Sequence, residues 1–399
     1  MSEHLALENI TILDLTRVIA GPYCGAMLAD LGANVIKIEL PGRGDDARAY
    51  GPYVNGESLY YGNLNRNKKG ITLNLKSPEG KEIFKKLAAK ADVVLENYRP
   101  GVMDKLGLGY EVLREINPRL IYAAVSGFGS YGRYAMRPGY DIISQAMGGL
   151  MSVTGHPGNG PTRVGSAIGD VLGGMNLAIG ILAAIEARHT TGVGQRVDVA
   201  LIASVVASLE NAYQRYEVSH ENPKRMGNAY ASIAPYDSYE ASDGWFVIGC
   251  GNDKLYKIFC EKILHMPELV EDPRFDCNVN RVANNLELKA IIEENFAKKH
   301  TVKECVDMIL GAGIPAGPIY NVSDIMEDPH IRDDREMFIH VDHPVMGDVI
   351  LNGNPVKLSD TKVGIRFPSP TLGQHNEEIL ESLGYTAGEV EGFKEKGVL

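Results

Sequence analysis

Among the residues of this 399-residue chain that could do chemistry, one carboxylate is set apart by the glycines around it. In Ser166-Ala167-Ile168-Gly169-Asp170-Val171-Leu172-Gly173-Gly174-Met175, Asp170 opens a run to Ile185 in which nearly every residue is apolar or small. Glu186-Ala187-Arg188-His189 turns polar and Gly192 and Gly194 stop the run, so the pattern predicts a buried helix with Asp170 at or just before its first turn. Unpaired backbone N–H groups and the positive end of the helix dipole favour an ionised carboxylate there. Such an aspartate is often no more than a helix cap. Gly169, Gly173 and Gly174, however, remove side chains from its surroundings, which lets a second molecule approach. A carboxylate within reach of another molecule is a candidate nucleophile or base, and Asp141 in Gly139-Tyr140-Asp141 is the other one.

Cations form the second pattern. Arg17, Lys37, Lys68, Lys69, Lys76, Arg99, Lys105 and Arg137 recur just after strand-like stretches of the first half. Each alone is ordinary loop charge, but together, in a chain of net charge −11, they predict a local phosphate-binding rim and a phosphorylated ligand. Asn97-Tyr98 adds an amide and an aromatic face on which a purine ring could lie. The ten histidines show no H-x-x-x-H or H-E-x-x-H spacing, so no metal site is expected. There is no G-x-S-x-G elbow and no P-loop, and the turn Thr16-Arg17-Val18-Ile19-Ala20-Gly21-Pro22 is not G-x-G-x-x-G, which argues against nicotinamide or flavin.

The elements that must position these residues read as alternating strands and helices. Strands are predicted at 10–15, 34–40, 71–75, 93–98 and 120–125, and helices at 22–31, 78–91, 100–116 and 141–146. That alternation predicts an α/β fold with a parallel, doubly wound sheet. A polar stretch at 219–227 marks a boundary; beyond it a hairpin over 237–249 and helices at 254–263, 286–297 and 302–312 predict a smaller α+β domain. From about 331 strand-like residues return, and a last helix begins near Asn376. The expected division is 1–218 as the first part of the large domain, 219–330 as the small domain, and 331–399 as the return to the large one.

Composition sets outer limits. With 44% hydrophobic and 23% charged residues the chain has the make-up of a globular protein, and its negative charge disfavours nucleic acid and anionic membranes as partners. The apolar run from Val171 to Ile185 falls short of the roughly 18–20 residues that span a bilayer. The start Met1-Ser2-Glu3-His4 lacks the order of a signal peptide. Five scattered cysteines without a C-x-x-C pair fit reduced thiols and a cytoplasmic location.

Several stretches together resemble the class III CoA-transferases, the family of formyl-CoA transferase and carnitine CoA-transferase. They are Leu13-Asp14-Leu15-Thr16-Arg17-Val18-Ile19-Ala20-Gly21-Pro22, Leu31-Gly32-Ala33-Asn34-Val35-Ile36-Lys37-Ile38-Glu39, Asn65-Arg66-Asn67-Lys68-Lys69, Glu96-Asn97-Tyr98-Arg99-Pro100-Gly101 and Gly169-Asp170. Gly311-Ala312-Gly313-Ile314-Pro315-Ala316-Gly317-Pro318 and Leu372-Gly373-Gln374-His375 extend the likeness over nearly the whole chain. The resemblance implies a Rossmann-like large domain built from both chain ends with a small domain from the middle, an interlocked homodimer, acyl-CoA and a small organic acid as ligands, and a catalytic aspartate at Asp170. It further implies coenzyme A contacts at Val18, Leu73, Lys76, Asn97, Tyr98, Lys105 and Arg137, with Asp141, Tyr140 and Gly227 as supporting residues.

In the chemistry this implies, the carboxylate of Asp170 takes an acyl group from the donor thioester as a mixed anhydride, and CoA then forms a thioester on the aspartate itself. Departures from formyl-CoA transferase (Ile19 for a glutamine, Leu40 for an arginine, a lid reduced to Met226-Gly227-Asn228) argue against formate and oxalate. The segment 233–252 resembles relatives that move CoA between succinate and other acids, which predicts succinyl-CoA or acetyl-CoA as donor and a small dicarboxylic or hydroxy acid as acceptor. The alternatives are an acyl-CoA racemase or epimerase of the same fold and a non-catalytic CoA-binding protein. Tyr140 stands where the racemases carry a histidine base, and a phenol of ordinary pKa near 10 is a poor base at neutral pH.

Overall fold

A computed structural model describes residues 4–399. The chain divides into two compact units: Met1–Leu150, Val164–Asn211 and Asp328–Leu399 make the larger, Met151–Arg163 and Ala212–Glu327 the smaller. Residues 151–163 and 212–218, assigned from sequence to the first domain, thus pack with the smaller unit, and 328–330 with the larger.

The larger unit is built on six parallel strands: β1 (Thr11–Asp14), β2 (Asn34–Glu39), β3 (Lys68–Thr72), β4 (Val93–Glu96), β5 (Ile121–Ser126) and β6 (Arg196–Ala200). Their order across the sheet is β3-β2-β1-β4-β5-β6, every neighbouring pair parallel. In this doubly wound order the chain reverses direction between β1 and β4, and ligands bind in the crevice outside the carboxyl ends there. Strands covered on both faces read as continuous apolar runs, which is why Ile12-Leu13 and Val93-Val94-Leu95 are fully buried. β6 escaped the sequence reading because Arg196 and Asp198 interrupt it at the sheet edge.

Helices α1 (Ala20–Asp30), α2 (Leu59–Asn65), α3 (Pro78–Lys90), α4 (Val102–Leu106), α5 (Tyr110–Ile116), α6 (Asp141–Met147), α7 (Ile168–Thr191) and α8 (Leu201–Ala207) surround the sheet. The helix expected over 100–116 is broken at Gly107, whose φ of +73° ends α4 in the left-handed region glycine adopts freely. α7 runs for 24 residues, longer than the apolar stretch that announced it, and is by length and composition able to cross a bilayer. One side of it packs against α1, β5, β6 and α8. The other side is open, with Ile179 62% exposed and Met175 also exposed, so the helix expected to be buried is buried on one side only.

The tail closes the open edge of β3. His375 and Asn376 accept hydrogen bonds from the Gly70 and Thr72 N–H groups, both 2.9–3.0 Å long, and Lys69 pairs with Glu378. An exposed sheet edge is thereby satisfied. In the smaller unit, strands Tyr236–Glu240, Trp245–Gly249 and Ala316–Pro318 form an antiparallel sheet over a core that includes Tyr239, Phe246, Phe259, Leu288, Phe296 and Ile309.

Candidate active site

The turn after β1 is fixed by side chains from four directions. The Thr16 N–H donates to Asp14 Oδ1 at 2.9 Å, and the Arg17 N–H and C=O are clasped by the Asn97 amide, each bond 2.8 Å. The Val18 N–H donates to Asp45 Oδ1 at 3.0 Å, and Lys37 Nζ reaches the Thr16 carbonyl as well as Asp45 Oδ2, the latter at 2.8 Å. Val18 is held at φ +67°, a conformation that is an outlier for a β-branched residue and costs on the order of 1–3 kcal/mol. Lys37 and Lys68, expected on a phosphate rim, are instead fully buried against Asp45 and Asp14. Both sit within strands of a sheet covered on two faces, where a cation survives only if paired. Burial works to raise the carboxyls of Asp14 and Asp45, but the adjacent lysines and hydrogen bonds outweigh it and hold both below the usual range.

Asp170 lies in the first turn of α7 but is not its cap. The cap position is Ala167, which has no side-chain acceptor. Asp141, reaching over from the start of α6, takes that role: its Oδ1 accepts from the Gly169 N–H at 2.8 Å and the Asp170 N–H at 3.4 Å, while Gln145 Nε2 donates to Oδ2 at 2.8 Å. The glycines around Asp170 serve packing rather than ligand access. A Cβ on Gly169 would stand 2.4 Å from Ser144 Oγ, one on Gly173 2.4 Å from Leu201, and one on Gly174 2.5 Å from the Ala20 carbonyl. They draw α6, α8 and α1 against α7 and leave the Asp170 side chain at the seam. No described residue donates a hydrogen bond to its carboxylate, and burial, with Asp141 as a like charge beside it, pushes its pKa up to about 7.

A cleft of about 300 Å³ in the larger unit brings these pieces together. Asp170, Val18, Asn97, Tyr98, Arg137 and Tyr140 all line it, with Arg17, Ile19 and Arg99. A second hollow of about 180 Å³ holds Leu73, Lys76 and Leu40, and shares Arg17 and Tyr98 with the first. Lys105 is exposed on α4 and lines neither, and Lys69 is taken by Glu378. Gly227, at φ +68°, lies in the smaller unit, where its N–H donates to the Gly155 carbonyl. Arg137 stacks 3.7 Å over the Tyr134 ring.

Three further residues bear on the site that the sequence reading gave no role. Tyr60 is half-buried on α2; burial, with Asp170, Tyr50 and Asp45 as neighbouring charges, raises its phenol to about 12, so it stays a proton donor. Gln145 is completely buried and ties α6 to the Val164 N–H. Its spacing four residues after Asp141 was the available clue. Glu96 sits behind Tyr98, whose N–H it accepts at 2.7 Å, and burial raises it to about 7. Among the described residues no cluster of His, Cys, Asp and Glu has the arrangement of a metal site.

Residues 7–376 match the family described as CoA-transferase family III. The chain belongs to that family. Among curated relatives, the succinyl-CoA:glutarate CoA-transferase of Mus musculus is 41% identical over 98% of this chain and 90% of that one. The acetyl-CoA:oxalate CoA-transferase of Acetobacter aceti is 45% identical over 88% of this chain and 89% of that one. A solved structure of a CAIB/BAIF family protein from Brucella suis superposes with a TM-score of 0.84 at 40% identity, covering 95% of this chain and 99% of that one. The chain is therefore an enzyme of the class III CoA-transferase family, and its relatives are named for CoA transfer.

Proposed function

We propose that this transferase moves CoA from succinyl-CoA or acetyl-CoA to a small dicarboxylic acid, with Asp170 as nucleophile. The observation that carries the reading is a half-buried carboxylate without hydrogen-bond donors, at the crevice where a doubly wound sheet binds ligands, lined by residues the family resemblance assigns to CoA. Relatives named for glutarate, mesaconate and oxalate support a dicarboxylic acceptor. Oxalate, set aside on Ile19 and Leu40, returns as an acceptor because a relative 45% identical is named for it.

In the proposed sequence Asp170 attacks the donor thioester carbonyl, the C–S bond breaks, and CoA leaves as thiolate from an aspartyl–acyl anhydride. The thiolate attacks the aspartyl carbonyl, releasing the donor acid and leaving CoA as a thioester on Asp170. The acceptor carboxylate attacks that thioester, forming a second anhydride and freeing the thiolate, which takes the acceptor acyl group and restores Asp170. A poorly solvated carboxylate whose pKa lies near 7 is substantially ionised at neutral pH yet unencumbered by donors, which suits it to this attack. Lys76 and Arg137 bind phosphate oxygens, and Tyr98 and the Leu73 surface receive the base.

Intact-mass measurement tests the reading. Incubation with succinyl-CoA leaves a mass increase equal to CoA less one water, absent in Asp170→Ala, and a panel of dicarboxylic acids yields new thioesters. The same adduct in Asp170→Ala, or α-proton exchange without new thioesters, overturns it. We further propose a homodimer, interlocked as the resemblance implies. Its support is the apolar surface left open on three mutually packed helices: Ile142, Ile143 and Met147 of α6, Met175 and Ile179 of α7, and Val206 of α8. Light scattering reading a mass near the 43.4 kDa of one chain would refute it.

A further inference from the structure

We propose that Asp45 is a positioning residue for acyl-CoA binding: its Oδ1, bonded to the Val18 N–H at 3.0 Å, keeps Val18 in the left-handed conformation that shapes the wall of the Asp170 cleft. The inference rests on the reading of that cleft as the acyl-CoA site.

Three observations converge on it. A valine at φ +67° persists only where its surroundings over-determine it, and Asp45 makes the one side-chain bond to the backbone of Val18 among the described residues. Asp45 is itself immobilised: it accepts from Lys37 Nζ at 2.8 Å and the Ala47 N–H at 2.9 Å, and its own N–H donates to Glu39 at 2.9 Å. Val18, Ile19 and Ala20 follow in line into the cleft wall that also holds Asp170. The wall is thus set during folding and is not left for the ligand to order, which is how a site avoids spending binding energy on its own rearrangement.

The competing explanation is that Lys37–Asp45 is only a core ion pair. Two uncharged double variants separate the two. K37M/D45N removes both charges and keeps an oxygen for the Val18 N–H; K37M/D45L removes both charges and the oxygen. Affinity for free CoA is measured by calorimetry, together with the Michaelis constants for succinyl-CoA and for the acceptor acid. K37M/D45N is expected within about threefold of wild type, and K37M/D45L about tenfold weaker for CoA with the acceptor constant unchanged. Adding Val18→Gly to K37M/D45L restores most of the loss, because glycine adopts a positive φ without support.

Equal CoA affinity in the two double variants, or no recovery with Val18→Gly, overturns the proposal. Should K37M/D45L not fold, Asp45→Glu takes its place: it keeps a charge opposite Lys37 but displaces the acceptor, and the same loss and the same rescue are expected. Failure of the underlying reading is visible separately, as a wild-type chain that binds no CoA or an Asp170→Ala variant that transfers at the wild-type rate.

Discussion

Around the turn after β1, Asp14 and Asp45 are fully buried with lysines against them, whereas at the start of α7 Asp170 is half-buried with only another carboxylate beside it. The first region spends four ionisable groups on holding backbone atoms still. The second has no cation among the causes that set its pKa, and its neighbour Asp141 is already committed to two backbone N–H groups and Gln145. On the proposed function the same residue type is scaffold in one place and reagent in the other, and the difference is where the counter-charge went. A carboxylate with its donors supplied is stable and inert; one that is desolvated and left without donors is destabilised as an anion and open to attack a carbonyl.

Removing the reagent gives the largest expected effect. Asp170→Ala should lower turnover by about 10⁴-fold or more while leaving CoA affinity intact, as nucleophile deletions do elsewhere. Steady-state assay with calorimetric CoA binding checks both halves. Next come opposite effects on stability. Asp14→Ala or Lys68→Ala strands a buried partner charge and should cost about 3–5 kcal/mol in denaturant unfolding. Asp170→Asn should stabilise the fold by about 2 kcal/mol at pH 8 and by little near pH 4.

The sign follows from the directions of the shifts. The carboxyl of Asp170 is raised in the folded chain, so its contribution is intact below the unfolded value near 4 and is lost as pH rises towards and through 7. Asp14 and Asp45 are held low, so theirs is present above about 4 and lost on acidification below it. Wild-type stability measured from pH 4 to 8 should therefore slope downward more steeply than that of Asp170→Asn. Parallel slopes would remove the contrast between the two regions.

Much of this was legible in the sequence because parallel strands buried on both faces betray themselves as apolar runs, and because Asp170 sits in a run of unusual glycine content. What was not legible depends on pairings across distance. Lys68 meets Asp14 from 54 residues away, and nothing in the local spacing of either says that the lysine turns inward. Gly169, Gly173 and Gly174 looked like space for a ligand, but whether a missing side chain leaves a gap or admits a neighbouring helix is decided by α6, α8 and α1. Asp141 could be seen as an acid near the reaction, though not as the cap of a helix that starts 27 residues later.

A smaller effect belongs to the rim. Lys76→Ala and Arg137→Ala should each raise the Michaelis constant for acyl-CoA about three- to tenfold, with little change in turnover, and the increase should shrink as salt rises because both cations are exposed. Losses indifferent to ionic strength would assign these residues to the scaffold side of the comparison.

The smallest effect sharpens the comparison most, since it asks whether the charge beside Asp170 tunes it. If ionised Asp170 is the attacking form, kcat/KM for acyl-CoA should rise with pH along a limb centred near 7. Asp141→Asn keeps an oxygen for the Gly169 N–H but deletes the like charge, which favours the anion of Asp170 and lowers its pKa. The limb should then move to lower pH by about half a unit to one unit, the remaining elevation being due to burial, the larger cause. A limb that stays in place would mean that burial alone sets the nucleophile, and a limb that moves to higher pH would mean that Asp141 acts on Asp170 mainly through the helix start it holds.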